Sequence, residues 1–432
     1  MKIVQINTVV GTGSVGHITA NLYETSLAND IEAFVCFGRG RAPEGMRSVK
    51  VSNRRDMVFH VLRNFCLGES GFGSARKTEE FLRLLDQIRP DLIHLHNIHG
   101  FYLQVELLFT YIKEKKIPVV WTLHDCWPLT GHCAYFDYVE CSRWKTGCCQ
   151  CPQQRSAYPY ALFKDNSIAN YERKKRAFTG VENLTIVTPS IWLREIVRQS
   201  FLQEYPVEVI PNGIDLSVFK PANTRKQAIN TEPDHEIIEN GGKRQIHILG
   251  VANIWEKRKG LVYFEQLAQC IPDNYHITLV GLRKKQIRRL QRQESGEILP
   301  AGKIRGITRT ENQTQLAQLY AAADVYVNTT LEDNFPTTNL EALASGTPVI
   351  TFATGGSPEA IDPMTGAAVP KGNIEALCKA VREITDRPKN SAACVERARL
   401  YDKKIRFQEY IALYRKVLEC GENKEYTRVE EK

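Results

Sequence analysis

Short apolar runs alternate with helix-period stretches along most of this chain, in two successive series. In the first half Lys2–Asn7, Ile31–Phe37, Leu92–Leu95, Pro118–Leu123, Leu184–Thr188 and Val207–Ile210 read as strands, with helical patterns at Val15–Leu27, Thr78–Ile88 and Leu103–Lys113. The second half repeats the plan. Its strands are Gln245–Leu249, His276–Val280, Val325–Val327, Val349–Phe352 and Ala367–Val369, and its helices Gly260–Gln269, Gln313–Ala322 and Asn373–Thr385. Alternation at this spacing predicts right-handed βαβ units, so the fold class is α/β with a parallel sheet in each half. Ligands of such sheets bind beyond the carboxyl ends of the strands, which directs attention to the loops that follow them.

The turn-rich Pro211-Asn212-Gly213-Ile214-Asp215 stands between the halves, and the polar, irregular Asn223–Gly242 follows it. One domain is therefore expected over 1–212 and a second over 213–402. Phe407, Ile411, Tyr414 and Leu418 recur at i, i+4, i+7 and i+11, so 403–432 holds an amphipathic helix. The polar Gly421–Lys432 is expected to be a frayed tail.

In the second half, Asp333 and Glu341 lie eight positions apart, with Pro336-Thr337-Thr338 and the first turns of a helix between them. That helix ends at Ser345-Gly346 and gives way to Pro348–Phe352 and Gly355-Gly356. A helix N-terminus presents unpaired N–H groups and a positive dipole end, which suit a diphosphate, and a carboxylate a turn or two inside reaches a ribose diol. The order reads as a cradle for a nucleotide-sugar, although an ordinary αβ unit with acids facing water fits the same spacing. Upstream, Lys257, Arg258 and Lys259 precede Gly260 at the start of another helix. Three cations there oppose the dipole unless an anion binds, which favours a second element of a diphosphate site over a solvated charge run.

In the first half, Gly11-Thr12-Gly13-Ser14-Val15-Gly16 is a literal GxGxxG between a strand and a helix. As a dinucleotide fingerprint it lacks the acid expected after the second strand, where Arg39 stands instead, so an NADP enzyme is a remote alternative. His124-Asp125 sits at the end of Pro118–Leu123, where active sites of such sheets form, and is equally readable as a structural pair. His94, His96 and His99 read as strand-end packing and loop contacts.

Six of the twelve cysteines fall within Cys126–Cys151. Thiolates of Cys133, Cys141, Cys148 and Cys151 are enough for a tetrahedral structural zinc site, with His132 as a spare ligand. A loop of small, part-buried thiols is the alternative, and an iron–sulfur cluster a weaker one. The start MKIVQINTVV is a strand pattern, not a signal peptide, and no long apolar run occurs. A cytoplasmic protein is expected, in which disulfides are disfavoured. The net charge of +8 includes clusters at Arg54-Arg55, Lys113–Lys116 and Arg173–Arg176. Gathered on one face they would favour the anionic inner surface of a membrane. No nucleic-acid signature is present.

The segment from Asp333 through Glu341 to Val349 resembles the acid-x7-Glu signature of glycosyltransferase family 4, retaining enzymes with the GT-B fold. Thr122–Asp125, Pro211–Asp215 and Lys259-Gly260 extend the likeness over nearly the whole chain. It implies two facing Rossmann-like domains, the terminal helix returning to the first. Glu341 would hold the ribose, and Lys259 with Arg258 the diphosphate. Asp333 or its neighbour Glu332, with the backbone at Phe335, Pro336, Thr337 and Thr338, would meet the donor sugar. The family's first acid is usually Glu, and its usual Arg falls here on Asn253 or Ile254, so that role is lost or passed to Arg258. Gly13 and Ser14 lie in the loop that approaches the donor or acceptor. The resemblance gives His124 the sugar hydroxyls and Asp125 the acceptor hydroxyl. It also implies front-face substitution, in which the leaving phosphate takes the acceptor's proton and no cofactor is required. The cysteine-rich insert near 126–155 resembles one in bacterial polysaccharide-assembly transferases, which implies a lipid-linked glycan acceptor for a capsular or other surface polysaccharide. A sugar-nucleotide epimerase or a non-catalytic nucleotide-sugar-binding scaffold would use the same nucleotide site.

Overall fold

A computed structural model describes residues 1–222, 244–295, 299–300 and 302–430; the polar Asn223–Gly242 lies outside them. Contacts divide the chain into two compact units, Met1–Asn212 with Lys404–Lys432, and Gly213–Lys403.

In the first unit, β1 (Lys2–Asn7), β2 (Glu32–Phe37), β3 (Ser48–Lys50), β4 (Leu92–Leu95), β5 (Val119–Thr122), β6 (Leu184–Thr188) and β7 (Val207–Val209) form one parallel sheet. Its order is β3-β2-β1-β4-β5-β6-β7. The helices between the strands are α1 (Gly13–Leu27), α2 (Arg54–Leu67), α3 (Ala75–Ile88), α4 (Val105–Lys115), α5 (Ser167–Phe178) and α6 (Ile191–Val197). Strands such as Val119–Thr122 are buried at every position, as a parallel sheet covered on both faces requires, so they read as continuous apolar runs.

The second unit holds β8 (Ile246–Val251), β9 (Tyr275–Val280), β10 (Ile304–Ile307), β11 (Val325–Asn328), β12 (Val349–Phe352) and β13 (Gly366–Val369), again all parallel, in the order β10-β9-β8-β11-β12-β13. Its helices are α7 (Leu261–Cys270), α8 (Lys284–Ser295), α9 (Gln313–Ala322), α10 (Thr337–Ala344), α11 (Ile374–Thr385) and α12 (Ser391–Arg399). In both sheets the chain reverses direction at the first strand, β1 or β8. The loops after that strand and after its later neighbour, β4 or β11, therefore flank a crevice suited to a ligand.

The last helix, α13 (Lys403–Glu430), continues past Gly421, where polarity alone predicts a frayed tail. Phe407, Tyr410, Ile411 and Tyr414 bury one stripe of it against Ile3, Leu22, Leu92, Val120 and Val187. At roughly 1.5–3 kcal/mol per buried large side chain, that stripe is ample to hold the helix on the first unit. A disulfide joins Cys270 on α7 to Cys378 on α11, a pairing that the expectation of reduced thiols did not include. No helix among the described residues is long and apolar enough to cross a membrane.

Candidate active site

Two clusters of functional side chains lie at strand ends, one in each unit. In the second unit β8 leads through Ala252 and Asn253 into a single 3-10 turn, Lys257–Lys259, and then α7. Gly260 joins turn to helix at φ +71°, and a Cβ there would stand 2.2 Å from the carbonyl oxygen of Thr329. Only glycine lets this cationic turn press so closely against the loop after β11. The Thr329 hydroxyl ties the two together by donating to the carbonyls of Lys259 and Gly260, at 3.0 and 3.1 Å.

Across that contact Lys259 Nζ lies 2.5 Å from Asp333 Oδ2, while Arg258 donates to the backbone carbonyl of Glu332 at 3.3 Å. Burial disfavours the ionised form of Asp333, but Lys259, Arg258 and the backbone N–H of Asn334 prevail and hold its pKa below the ordinary carboxylate range. Burial, reinforced by Arg258, lowers Lys259, and Asp333 opposes that shift. The Asp333 carboxylate thus pairs with the cationic turn. Asn253 is exposed in the loop after β8.

Pro336 precedes α10 and gives it no side-chain cap, so the first-turn N–H groups lack the usual Ser, Thr or Asp acceptor. Thr337 and Thr338 are half-buried at this end, whereas the Phe335 ring is buried in the core against Tyr401, leaving only its backbone for a ligand. One turn on, Glu341 Oε2 accepts a 2.9 Å hydrogen bond from the Tyr320 hydroxyl. Burial raises the Glu341 pKa to about 7, against the pull of the Tyr320 and Thr337 hydroxyls. A buried lattice pins the helix start. Asn339 donates to the carbonyl and hydroxyl of Ser357 at 3.1 and 3.0 Å and accepts from Asn328 at 2.9 Å. Tyr320, Asn328, Asn339 and Ser357 escape sequence reading because each is an ordinary residue of a helix, strand end or turn. The one available signal was Asn339 itself, a polar residue on the inward face of α10.

In the first unit Gly11 and Gly13, at φ +67° and +68°, shape the turn into α1, and Gly13 and Ser14 are exposed at its start. After β5, His124 is buried with its Nε2 at 3.1 Å from His96 Nδ1, and His96 Nε2 lies 3.1 Å from Gln5 Oε1. Which His124 nitrogen carries the proton is thus coupled, through His96, to the orientation of the Gln5 amide. Burial lowers the His124 pKa to about 4, so the ring is neutral near pH 7 and acts through hydrogen bonds. Both Asp125 oxygens are engaged, Oδ2 with His99 Nε2 at 2.8 Å and Oδ1 with the backbone N–H of Trp127 at 2.9 Å. That arrangement anchors the His99 loop on Asp125. Behind them, His94 bonds the hydroxyls of Tyr414 (2.7 Å) and Thr122 (2.8 Å), linking the histidine row to α13.

The cysteine-rich segment folds beside these loops. Cys133, Cys141, Cys148 and Cys151 line one cavity of about 20 Å³ together with His132, whose Nε2 is buried without a partner. Among the described residues no three His, Cys, Asp or Glu side chains stand in a metal-binding arrangement. The neighbouring basic run Arg173–Arg176 is solvated only in part, with Lys175 and Arg176 exposed. Lys174 is buried with its ammonium on the carbonyls of Trp127 and Thr130, at 2.7 and 2.9 Å, and Arg173 pairs with Glu106.

Comparison with known proteins accords with the fold. Residues 19–218 match the family model "Glycosyltransferase Family 4", and residues 245–387 match "Glycosyl transferases group 1". The putative colanic acid biosynthesis glycosyl transferase WcaC of Escherichia coli K12 is 22% identical over 391 residues, spanning 87% of this chain and 88% of that protein. Among solved structures, sucrose-phosphate synthase from Thermosynechococcus elongatus aligns with a TM-score of 0.69 at 17% identity, over 97% of this chain and 99% of that one. Anabaena HepE in complex with UDP-glucose aligns at 0.64 and 15% identity, over 96% and 100%. With two doubly wound parallel sheets and a family match in each unit, the chain belongs to the family 4 glycosyltransferases and has the GT-B fold.

Proposed function

We propose that this glycosyltransferase moves a sugar, with retention, from a nucleotide-sugar to a lipid-linked glycan during assembly of a surface polysaccharide. The observation that carries the donor half is the Lys259–Asp333 pair beside the N-terminus of α10, with Glu341 one turn inside the same helix. The turn Lys257–Lys259 and the first N–H groups of α10 receive the diphosphate, and Glu341 the ribose diol. Asp333 orients a hydroxyl of the donor sugar while holding Lys259 in place. As the bond from the sugar to the phosphate breaks, Lys259 and Arg258 stabilise the charge that develops on the leaving oxygen. That phosphate oxygen takes the proton of the attacking hydroxyl on the same face. Neutral His124 accepts or donates a hydrogen bond to a sugar hydroxyl, steadied by His96. A surface-polysaccharide acceptor is supported by the likeness to WcaC, and a UDP-sugar donor by the likeness to HepE.

Nucleotide release from UDP-glucose and related UDP-sugars, measured with and without a lipid-linked glycan fraction, tests the reading. Release that needs acceptor supports the transferase. Epimerised sugar without release would replace it with an epimerase, and binding without turnover with a scaffold.

The four thiols of the insert we assign to a structural zinc ion. Support comes from the donor set around one cavity and the unpartnered His132 nitrogen beside it. Closing the site requires the thiols to turn from the arrangement described above. Purified protein is expected to carry about one zinc per chain, lost together with several degrees of melting temperature in Cys148→Ser; metal-free wild-type protein of unchanged stability would remove the assignment.

A further inference from the structure

Helix α2 is built inside out. Its buried positions are polar: His60 accepts from the backbone N–H of Gly73 and bonds the Ser74 hydroxyl, and Asn64 donates to the carbonyl of Tyr160. Its outward positions Val58, Phe59, Val61, Leu62 and Phe65 recur at i, i+1, i+3, i+4 and i+7 and form one apolar stripe. Phe59 is 71% exposed and Leu62 53%. The loop that follows the cysteine-rich segment lies against the end of this helix, through the 3.0 Å bond from the N–H of Leu162 to the carbonyl of Phe65, and adds Leu162 and the 75%-exposed Phe163. Scattered exposed apolar residues are ordinary, but a whole helix face of them beside two more exposed apolar side chains is not.

Charge decides what covers the patch. Arg54 and Arg55 are exposed at the start of α2, and Lys164 follows Phe163. Of the acids nearby, Glu69 pairs with Arg63, Asp165 accepts from the backbone N–H groups of Cys151 and Ser167, and Asp56 in the first turn of α2 has its Oδ2 turned out of solvent. An apolar face bearing phenylalanines and edged by cations matches the interface of an anionic bilayer.

We infer that α2 and Leu162–Lys164 form a membrane-docking surface for bilayers containing anionic lipid. The apolar stripe sinks among the acyl chains, and Arg54, Arg55 and Lys164 lie at the head groups. The inference deepens the proposed reading, on which it rests for its occupant, because a lipid-linked acceptor is held in such a bilayer.

The test is co-sedimentation of the full chain with vesicles of phosphatidylglycerol and phosphatidylethanolamine, compared with phosphatidylcholine alone. Wild-type protein should bind the anionic vesicles more tightly. The double substitution Phe59→Ser/Leu62→Ser should weaken that binding by about tenfold or more. Arg54→Ala/Arg55→Ala should weaken it at low salt and change little at high salt. Wild-type protein that stays in the supernatant, or binding untouched by the double substitution, overturns the surface. A dimer that the double substitution turns into monomer overturns it in favour of a second copy of this chain. The thermal shift given by UDP on the same preparations reports separately on the donor site. An intact shift without vesicle binding removes the surface alone, whereas vesicle binding without any nucleotide shift supports the surface and removes the donor reading.

Discussion

The two units run the same topology, a parallel sheet wound outward from a central strand, yet the chemistry at their strand ends differs in kind. In the first unit, neutral imidazoles bond one another, an amide and hydroxyls, and the one carboxylate among them has both oxygens occupied. In the second, a lysine pairs with a carboxylate and an arginine with the neighbouring backbone carbonyl beside a helix N-terminus, and burial raises a second carboxylate to about 7. A shared scaffold therefore says little about the ligand. Neutral hydrogen-bonding groups suit sugar hydroxyls, while a diphosphate needs charges aimed where its own charge grows.

The comparison breaks most sharply at Lys259. Lys259→Ala should lower kcat by about 10²–10³, the range for losing one donor to a developing oxyanion, with a much smaller change in donor affinity. Single-turnover kinetics checks this, and near wild-type turnover would move the leaving-group role elsewhere. A smaller effect is expected at Glu341, whose pKa of about 7 keeps it largely protonated at pH 6 and ionised at pH 8. If the ribose requires the carboxylate, a UDP-sugar, whose diphosphate does not titrate in this window, should bind about tenfold more weakly at pH 6 than at pH 8. Glu341→Gln should abolish that dependence, as read by calorimetry at the two pH values.

The smallest effect should come from the neutral side. His96→Ala frees the His124 tautomer and should cost about tenfold in turnover without altering nucleotide affinity. With His124 at about 4, the wild-type rate profile should show no His124 limb near pH 6.5. Such a limb, lost in His124→Gln, would mean that the imidazole works as a cation and that the contrast between the units is false.

Most of the scaffold was legible because buried parallel strands are short, continuous apolar runs; Val119–Thr122 and Val349–Phe352 announce themselves. The short edge strand Ser48–Lys50 and the polar Ile304–Ile307 did not, since edge strands carry little apolar signal. At the site, spacing across a loop and the helix start that follows it presented Asp333 and Glu341 as a pair. It did not present Tyr320, which meets Glu341 from another helix, nor show that both Asp125 oxygens are taken locally. Such contacts depend on how elements pack, and a linear spacing carries no record of that. Helix α2 marks the same limit from the other side. The sequence does not say which of its sides is covered, and the fold shows that its apolar residues face outward while His60 and Asn64 face in.

The central claim is that the second unit holds a nucleoside diphosphate between its cationic turn and Glu341. Calorimetric titration of UDP, GDP and ADP into wild-type protein and Glu341→Ala tests it most directly. The account predicts that one nucleotide binds wild-type protein in the micromolar range and loses about tenfold to a hundredfold in the variant, as for a charge-assisted hydrogen bond. Absence of binding by all three, or equal affinity for both proteins, would contradict it.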